Sequence, residues 1–218
     1  MGGPLVLALG ADAPFLGPQP DYFAAEADAG IAAVRAQIEA MPVPSNTYLL
    51  AVGTGDPVAI DGADWTSEVL APLRRAFAFA TGAARKLRAS GDRGSIVFLL
   101  PSSALLSDGP PSARSVLLRA LLGMAEALRA ELGSSPVRTS IVFHAVGEDP
   151  IELGARLEHA VAERPMYSLS ADLDGARIRG YFAPLFAAID AAGAGPPLPD
   201  IGPMAMVYDL DRVGTRRS

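Results

Sequence analysis

The sequence predicts one α/β domain on a doubly wound, mostly parallel sheet, Rossmann-like in three layers. Three observations predict it. Short apolar runs alternate with amphipathic stretches of helical length, in the order β-α-β-α-β-α-β-α-β. One run, Ser95 to Leu100, reads Ser-Ile-Val-Phe-Leu-Leu, the mark of a central strand covered on both faces. The length, 218 residues, suits one large domain and is short for two.

The elements follow in order. Pro4 to Leu9 reads as a first strand ending at Gly10. Pro14, Pro18 and Pro20 make the next stretch an extended loop with no helix. Asp21 is placed to cap a helix to about Ala40, with Phe23, Ala27, Ile31, Val34 and Ile38 on one side. Thr47 to Val52 is the second strand, followed by the loop Gly53 to Pro57. Asp64 caps a long helix to about Ala89, carrying Val69, Leu70, Leu73, Phe77 and Ala80. After the Ser95 strand and a loop to Pro111, Ser112 to Leu132 is helical, with Gly133 as its stop. Val137 to Val146 is a strand, Ile151 to Glu163 a helix and Met166 to Leu173 a strand. Tyr181 to Ala192 reads as a short helix, and Met204 to Leu210 as an edge strand within an irregular arm over 193–218. The whole chain, 1–218, is expected to form a single domain, truncated in its N-terminal half.

Composition narrows the function. Half the residues are hydrophobic but only 6% are aromatic, so the core is mostly Ala, Leu and Val. A net charge of −6 repels phosphate backbones and argues against nucleic acid. There is no cysteine, which removes disulfides and thiolate nucleophiles and fits a cytoplasmic protein. No apolar stretch is long enough for a membrane span, and Met1 to Leu9 reads as a strand rather than a signal peptide. The two histidines, His144 and His159, give no metal-ligand spacing.

Residues 47 to 146 carry a resemblance. Asp64-Trp65 through Phe77-Ala78-Phe79-Ala80 is similar to the fourth helix of the short-chain dehydrogenase/reductases. Gly94-Ser95-Ile96-Val97-Phe98-Leu99-Leu100-Pro101-Ser102-Ser103 resembles their strand Gly-Ser-Ile-Val-Asn-Ile-Ser-Ser with its following loop. Leu121-Leu122-Gly123 through Glu131-Leu132-Gly133 resembles the fifth helix, and Val137-Arg138-Thr139-Ser140-Ile141-Val142 the strand after it. The chain is similar to a degenerate member of that superfamily.

The departures fall on the chemistry. The family's Gly-x-x-x-Gly-x-Gly turn lets the backbone approach a pyrophosphate at a helix N-terminus. Here Gly10 leads into the proline-rich loop, and a single helix separates it from the Thr47 strand, where the family has two more strands. The family's Asn-Asn-Ala-Gly becomes Leu50-Ala51-Val52-Gly53, and the Asn of its fourth helix becomes Pro72. The Tyr-x-x-x-Lys pair, general base and pKa-lowering partner, falls on Arg114 and Leu118. No tyrosine lies between Tyr48 and Tyr167, and the only lysine in the chain is Lys86. Ser102 or Ser103 stands where the family has its serine. Ser102, Arg114 and His144 are the remaining catalytic candidates. A Ser102, His144 and Asp149 set is conceivable, but His144 reads more plainly as a half-buried strand-end residue.

The resemblance implies pairing through the fourth and fifth helices, as a four-helix bundle between subunits. The helix from Ser112 to Leu132 is apolar on more than one face and needs a second cover. Leu73, Phe77, Val116, Leu117, Leu118, Leu121 and Met124 are the candidate interface residues. The expectation is a non-catalytic subunit, a pseudoenzyme that binds no cofactor and forms a homodimer or a heteromer with an active dehydrogenase. The alternatives are a divergent NAD(P)-dependent oxidoreductase and a small-molecule binding module in the vacated cleft.

Overall fold

Strands that are apolar on both sides need a helical layer over each face, and the chain supplies both. The computed structural model describes residues 4–10, 13, 23, 30–41, 45–53, 59–91, 93–104, 112–132, 135–145 and 147–162, with the backbone of 21–22, 166–168 and 207–209. Among them are strands β1 (Leu5–Leu9), β2 (Asp21–Tyr22), β3 (Thr47–Val52), β4 (Gly94–Pro101), β5 (Val137–His144), β6 (Met166–Ser168) and β7 (Val207–Asp209). The α-helices are α1 (Ile31–Ala40), α2 (Ala71–Ser90), α3 (Ala113–Leu132) and α4 (Pro150–Ala162). The sheet order is β2-β1-β3-β4-β5-β6-β7, parallel throughout except for the last pair.

Alternation divides β1, β3, β4 and β5 between two cores. Leu7, Leu50, Phe98 and Phe143 point into the larger one, under α1, α2 and α3. Val6, Leu49, Val97, Leu99 and Val142 point the other way, toward Leu153 and Ala160 of α4. This is the doubly wound, Rossmann-like architecture expected from the pattern.

The helix placed at Asp21 is a correction. Asp21 and Tyr22 pair in parallel with Leu5 and Val6, and Phe23 N–H donates to the Val6 carbonyl at 2.7 Å. Bonding to the open edge of β1 satisfies the backbone there, and this overrides the capping tendency of an aspartate. The helix starts at Ile31, after Gly30, and buries Val34 and Ile38. The interval thought to lack strands therefore holds a short one, β2. The proline-rich loop, the helix from Tyr181 and most of the arm from 193 lie outside the described residues; β7 falls within the edge strand expected at 204–210.

Asp64 caps as expected. Its Oδ1 accepts from Thr66 N–H at 3.0 Å and its Oδ2 from the Ser67 hydroxyl at 2.9 Å. The first turn, Thr66–Leu70, is a π turn that continues into α2. Pro72 stands just beyond it, where it has no N–H to donate back to Glu68 and so permits the wider turn.

The single lysine holds one helix to another. Lys86 Nζ donates to the carbonyls of Ile38 at 2.8 Å and Met41 at 2.7 Å, closing the C-terminal end of α1. Gly94 is required by close approach: a Cβ there would lie 2.4 Å from Cδ2 of the buried Leu87.

Two stability predictions follow from these contacts. Lys86→Ala should cost about 1.5–3 kcal/mol, the range for hydrogen bonds to a charged group, measured by urea denaturation, with Lys86→Arg recovering part of it. Gly94→Ala should cost about 1–3 kcal/mol by overpacking against Leu87.

Candidate functional site

The order of strand addition reverses between β1 and β3, where the neighbours β2 and β4 lie on opposite sides. In sheets of this kind ligands bind at the C-terminal strand ends beside such a reversal. Here those ends are Leu9, Val52, Pro101 and His144. Gly53 N–H donates to the Leu9 carbonyl at 3.0 Å, which extends the pairing of β1 and β3 by one residue.

Two of the three catalytic candidates converge on the end of β3. His144, at the end of β5, donates from Nε2 to the Val52 carbonyl at 2.9 Å. A carbonyl only accepts, so the proton sits on Nε2. Arg114 Nη2 donates to the Gly53 carbonyl. Arg114 is carried there by the start of α3, where Ser112 and Ser115 cap each other. Ser115 N–H donates to the Ser112 hydroxyl at 3.1 Å, and Ser112 N–H to the Ser115 hydroxyl at 3.0 Å. Leu118, one turn further on the same face, is sealed in the core at 1% exposure.

Ser102 opens the short 3₁₀ turn Ser102–Ala104 and is half-buried, while Ser103 is exposed. The Ser102, His144 and Asp149 set is not assembled. Asp149 accepts from Ile151 N–H at 2.8 Å and caps α4, and His144 is committed to Val52.

The sequence reading missed a neighbouring ion pair. Glu148 bonds to Arg156, with both side chains at most one-tenth exposed. Arg156 Nη1 also donates to the Phe143 carbonyl at 2.9 Å, and Glu148 Oε2 accepts from Ala145 N–H at 3.0 Å. The pair spans eight residues, from just before α4 into its second turn, outside the three- or four-residue spacing that sequence reveals.

Burial pushes the His144 pKa below the ordinary histidine value of 6.5, and the Arg156 charge adds to this. The Val52 carbonyl and Glu148 pull the other way without reversing it. The folded ring is therefore the neutral one. The bonds described for Arg114, His144 and Arg156 go to protein backbone or a protein carboxylate, and no nucleophile is joined to a base among the described residues. No cluster of three potential metal ligands occurs among them either.

Of the two positions on which the sequence resemblance would put the family's tyrosine and lysine, Arg114 is turned onto Gly53 and Leu118 is buried in the core.

The interface candidates separate into two groups. Leu117, Leu118 and Leu121 are each at most 2% exposed and face the chain's own core, so they are not available to a partner. Val116 and Phe77 are exposed, and Leu73 and Met124 half-buried. Leu73, Phe77 and Met124 line a cavity of about 460 Å³ with Ile31, Ala120 and Leu128, rimmed by Arg74 and Glu131. Arg35 stacks over the Phe77 ring at 5.4 Å and donates to the Thr81 hydroxyl, which steadies that wall.

No family model matches the sequence, and no curated protein matches it. Solved structures do match. A short-chain dehydrogenase/reductase from Vibrio parahaemolyticus superposes with a TM-score of 0.50 at 16% identity, over 66% of this chain and 71% of that one. The bulky-bulky ketone specific alcohol dehydrogenase from Comamonas testosteroni gives 0.58 at 15% identity, over 83% and 75%. A 4-hydroxyisoleucine dehydrogenase complexed with NADH and succinate gives 0.54 at 15% identity, over 80% and 81%. The chain thus has the short-chain dehydrogenase/reductase fold, and no helix among the described residues is long and apolar enough to cross a membrane.

The neutral state of His144 sets a pH dependence. The unfolded chain takes up a proton near pH 6.5 that the folded chain refuses, so the His144 contribution to stability is lost as pH falls below 6.5. From pH 6.5 to about 5, urea denaturation should show stability declining by at most about 1.4 kcal/mol per pH unit from this group, and less steeply in His144→Gln.

Proposed function

We propose that this protein is a non-catalytic subunit of short-chain dehydrogenase/reductase architecture. It pairs through the exposed face of α2 and α3 with a second copy or with an active dehydrogenase. The observation that carries the reading is the pair Arg114 and Leu118. At the positions of a general base and its lysine, one side chain braces a backbone carbonyl and the other packs the core. Neither holds a proton that a hydride-transfer reaction could use at neutral pH.

The groove supports the pairing half of the proposal. Leu73, Phe77 and Met124 present an apolar surface between helices, with Phe77 at 41% exposure. Such a surface costs free energy in water and gains it against a second apolar face.

One competing reading has specific support. A nicotinamide-dependent oxidoreductase, or a module binding a small molecule in the same crevice, draws on the neutral His144 at a strand end and on the structural neighbour solved with NADH. Ser102 and Arg114 would be its residues, and turnover lost in Ser102→Ala and Arg114→Ala would carry it.

Calorimetric titration with NADH and NADPH, with the mass in solution recorded alongside, separates the two. The proposal expects no saturable heat and a species heavier than one chain. Phe77→Asp should then weaken self-association at least tenfold, about 1.4 kcal/mol, with the circular dichroism unchanged. A monomer that gains mass only beside a co-expressed dehydrogenase identifies the heteromer. Micromolar dinucleotide binding would overturn the non-catalytic reading.

A further inference from the structure

Gly123 stands near the middle of the 20-residue α3 and is exposed. A glycine inside a helix is less favourable than an alanine, because it has more freedom to lose on folding. Nothing in its own chain asks for it. Its φ is not among the positive ones, and a Cβ built on it meets no neighbouring atom within 4 Å. A glycine also lets another backbone come close, and here that backbone has to come from outside the chain.

The exposed face around Gly123 is nearly symmetric along the helix. Val116 and Ala130 lie seven residues to either side, and Ala120 and Ala127 three and four. Val116, Ala127 and Ala130 are exposed, and Ala120 is half-buried. Steps of three and four keep all five on one side of the helix. A two-fold axis lays one copy of a surface on another running the opposite way, so every contact from i to j recurs from j to i. With Gly123 on the axis, Val116 of one copy comes level with Ala130 of the other, and large meets small at both ends. Val116 also arrives beside Ala127 and Glu131, which line the cavity between α2 and α3. The apolar knob and the hollow thus stand on opposite sides of Gly123.

The size of the face fits such a pair. α2 and α3 are each about 30 Å long, and packed helices lie about 10 Å apart, so together they present a face about 20 Å wide. That is the scale of the roughly 800 Å² that each partner buries in a stable complex. Phe77, 41% exposed on α2, continues the apolar surface beside the cavity.

We propose that the partner is a second copy of this chain, packed antiparallel along α3 with the two Gly123 residues meeting on the axis. This rests on the pairing reading above and chooses the homodimer over the heteromer. A surface whose large and small residues are set symmetrically about one of its own positions fits itself.

The chain has no cysteine, so a single introduced thiol reports on one position. Gly123→Cys, oxidised as the full chain, is expected to run mostly as a covalent dimer, since the close approach on the axis brings the two Cα atoms within the roughly 4.4–6.8 Å that a disulfide needs. Gly154→Cys, at an equally open glycine of α4 on the other face of the sheet, is expected to stay a monomer under the same treatment. Gly123→Leu should weaken self-association about tenfold or more, because the added bulk holds the helices apart, with no loss of helix by circular dichroism. A dimer by mass in solution whose Gly123→Cys form does not cross-link, or cross-links no more than Gly154→Cys, overturns this axis and leaves the pairing reading standing. A monomer that gains mass only beside a dehydrogenase overturns the second copy as partner, and a monomer under both conditions overturns the pairing reading as well.

Discussion

A strand buried on both faces has almost no place for a polar side chain, and most of this molecule follows from that constraint. The centres of β3 and β4 present only apolar residues to either layer, and β1 and β5 come close. Polar chemistry is driven to the two ends of the sheet. At the C-terminal end Arg114 and His144 close over the last carbonyls of β3. At the N-terminal end Ser95 and Arg138 close over the last carbonyls of α4. Both arrangements answer the same requirement, that a backbone group leaving the ladder find a partner.

On the proposed non-catalytic reading, the same constraint lets the chemistry at these positions change while the fold is kept. A residue at the first turn of α3 faces the strand ends whatever its identity. A tyrosine there can offer a hydroxyl to a substrate, whereas an arginine reaches further and finds the backbone. One turn deeper, a leucine in place of a lysine adds apolar area to the core. Here Arg114 braces the Gly53 carbonyl and Leu118 packs the core, so both side chains serve the fold.

The legible parts of the sequence were those with a period. β3, β4 and β5 were evident as apolar runs, and α2 and α3 as long amphipathic stretches with polar starts at Asp64 and Ser112. β2 had no period to read, since two residues cannot show alternation, and its aspartate imitated a helix cap. Of the site, the placement of Arg114 and His144 at strand and helix ends was legible, because register follows from the strand boundaries. Their convergence on consecutive carbonyls was not, because it depends on how far one strand end stands beyond another. Glu148 and Arg156 were hidden for a related reason. Their encounter joins a residue just before α4 to one in its second turn, eight positions on, and not at the usual spacing along a helix.

The antiparallel pairing of β7 with β6 has a consequence for the order of events during synthesis. Every other strand is flanked by sequence already made or soon to emerge. β6 must wait while the ribosome adds the long segment before Val207. Until then its outer rim is a row of bare amide and carbonyl groups, a template for any extended chain nearby. In that interval β6 is open to wrong pairing, and the arrival of β7 closes it.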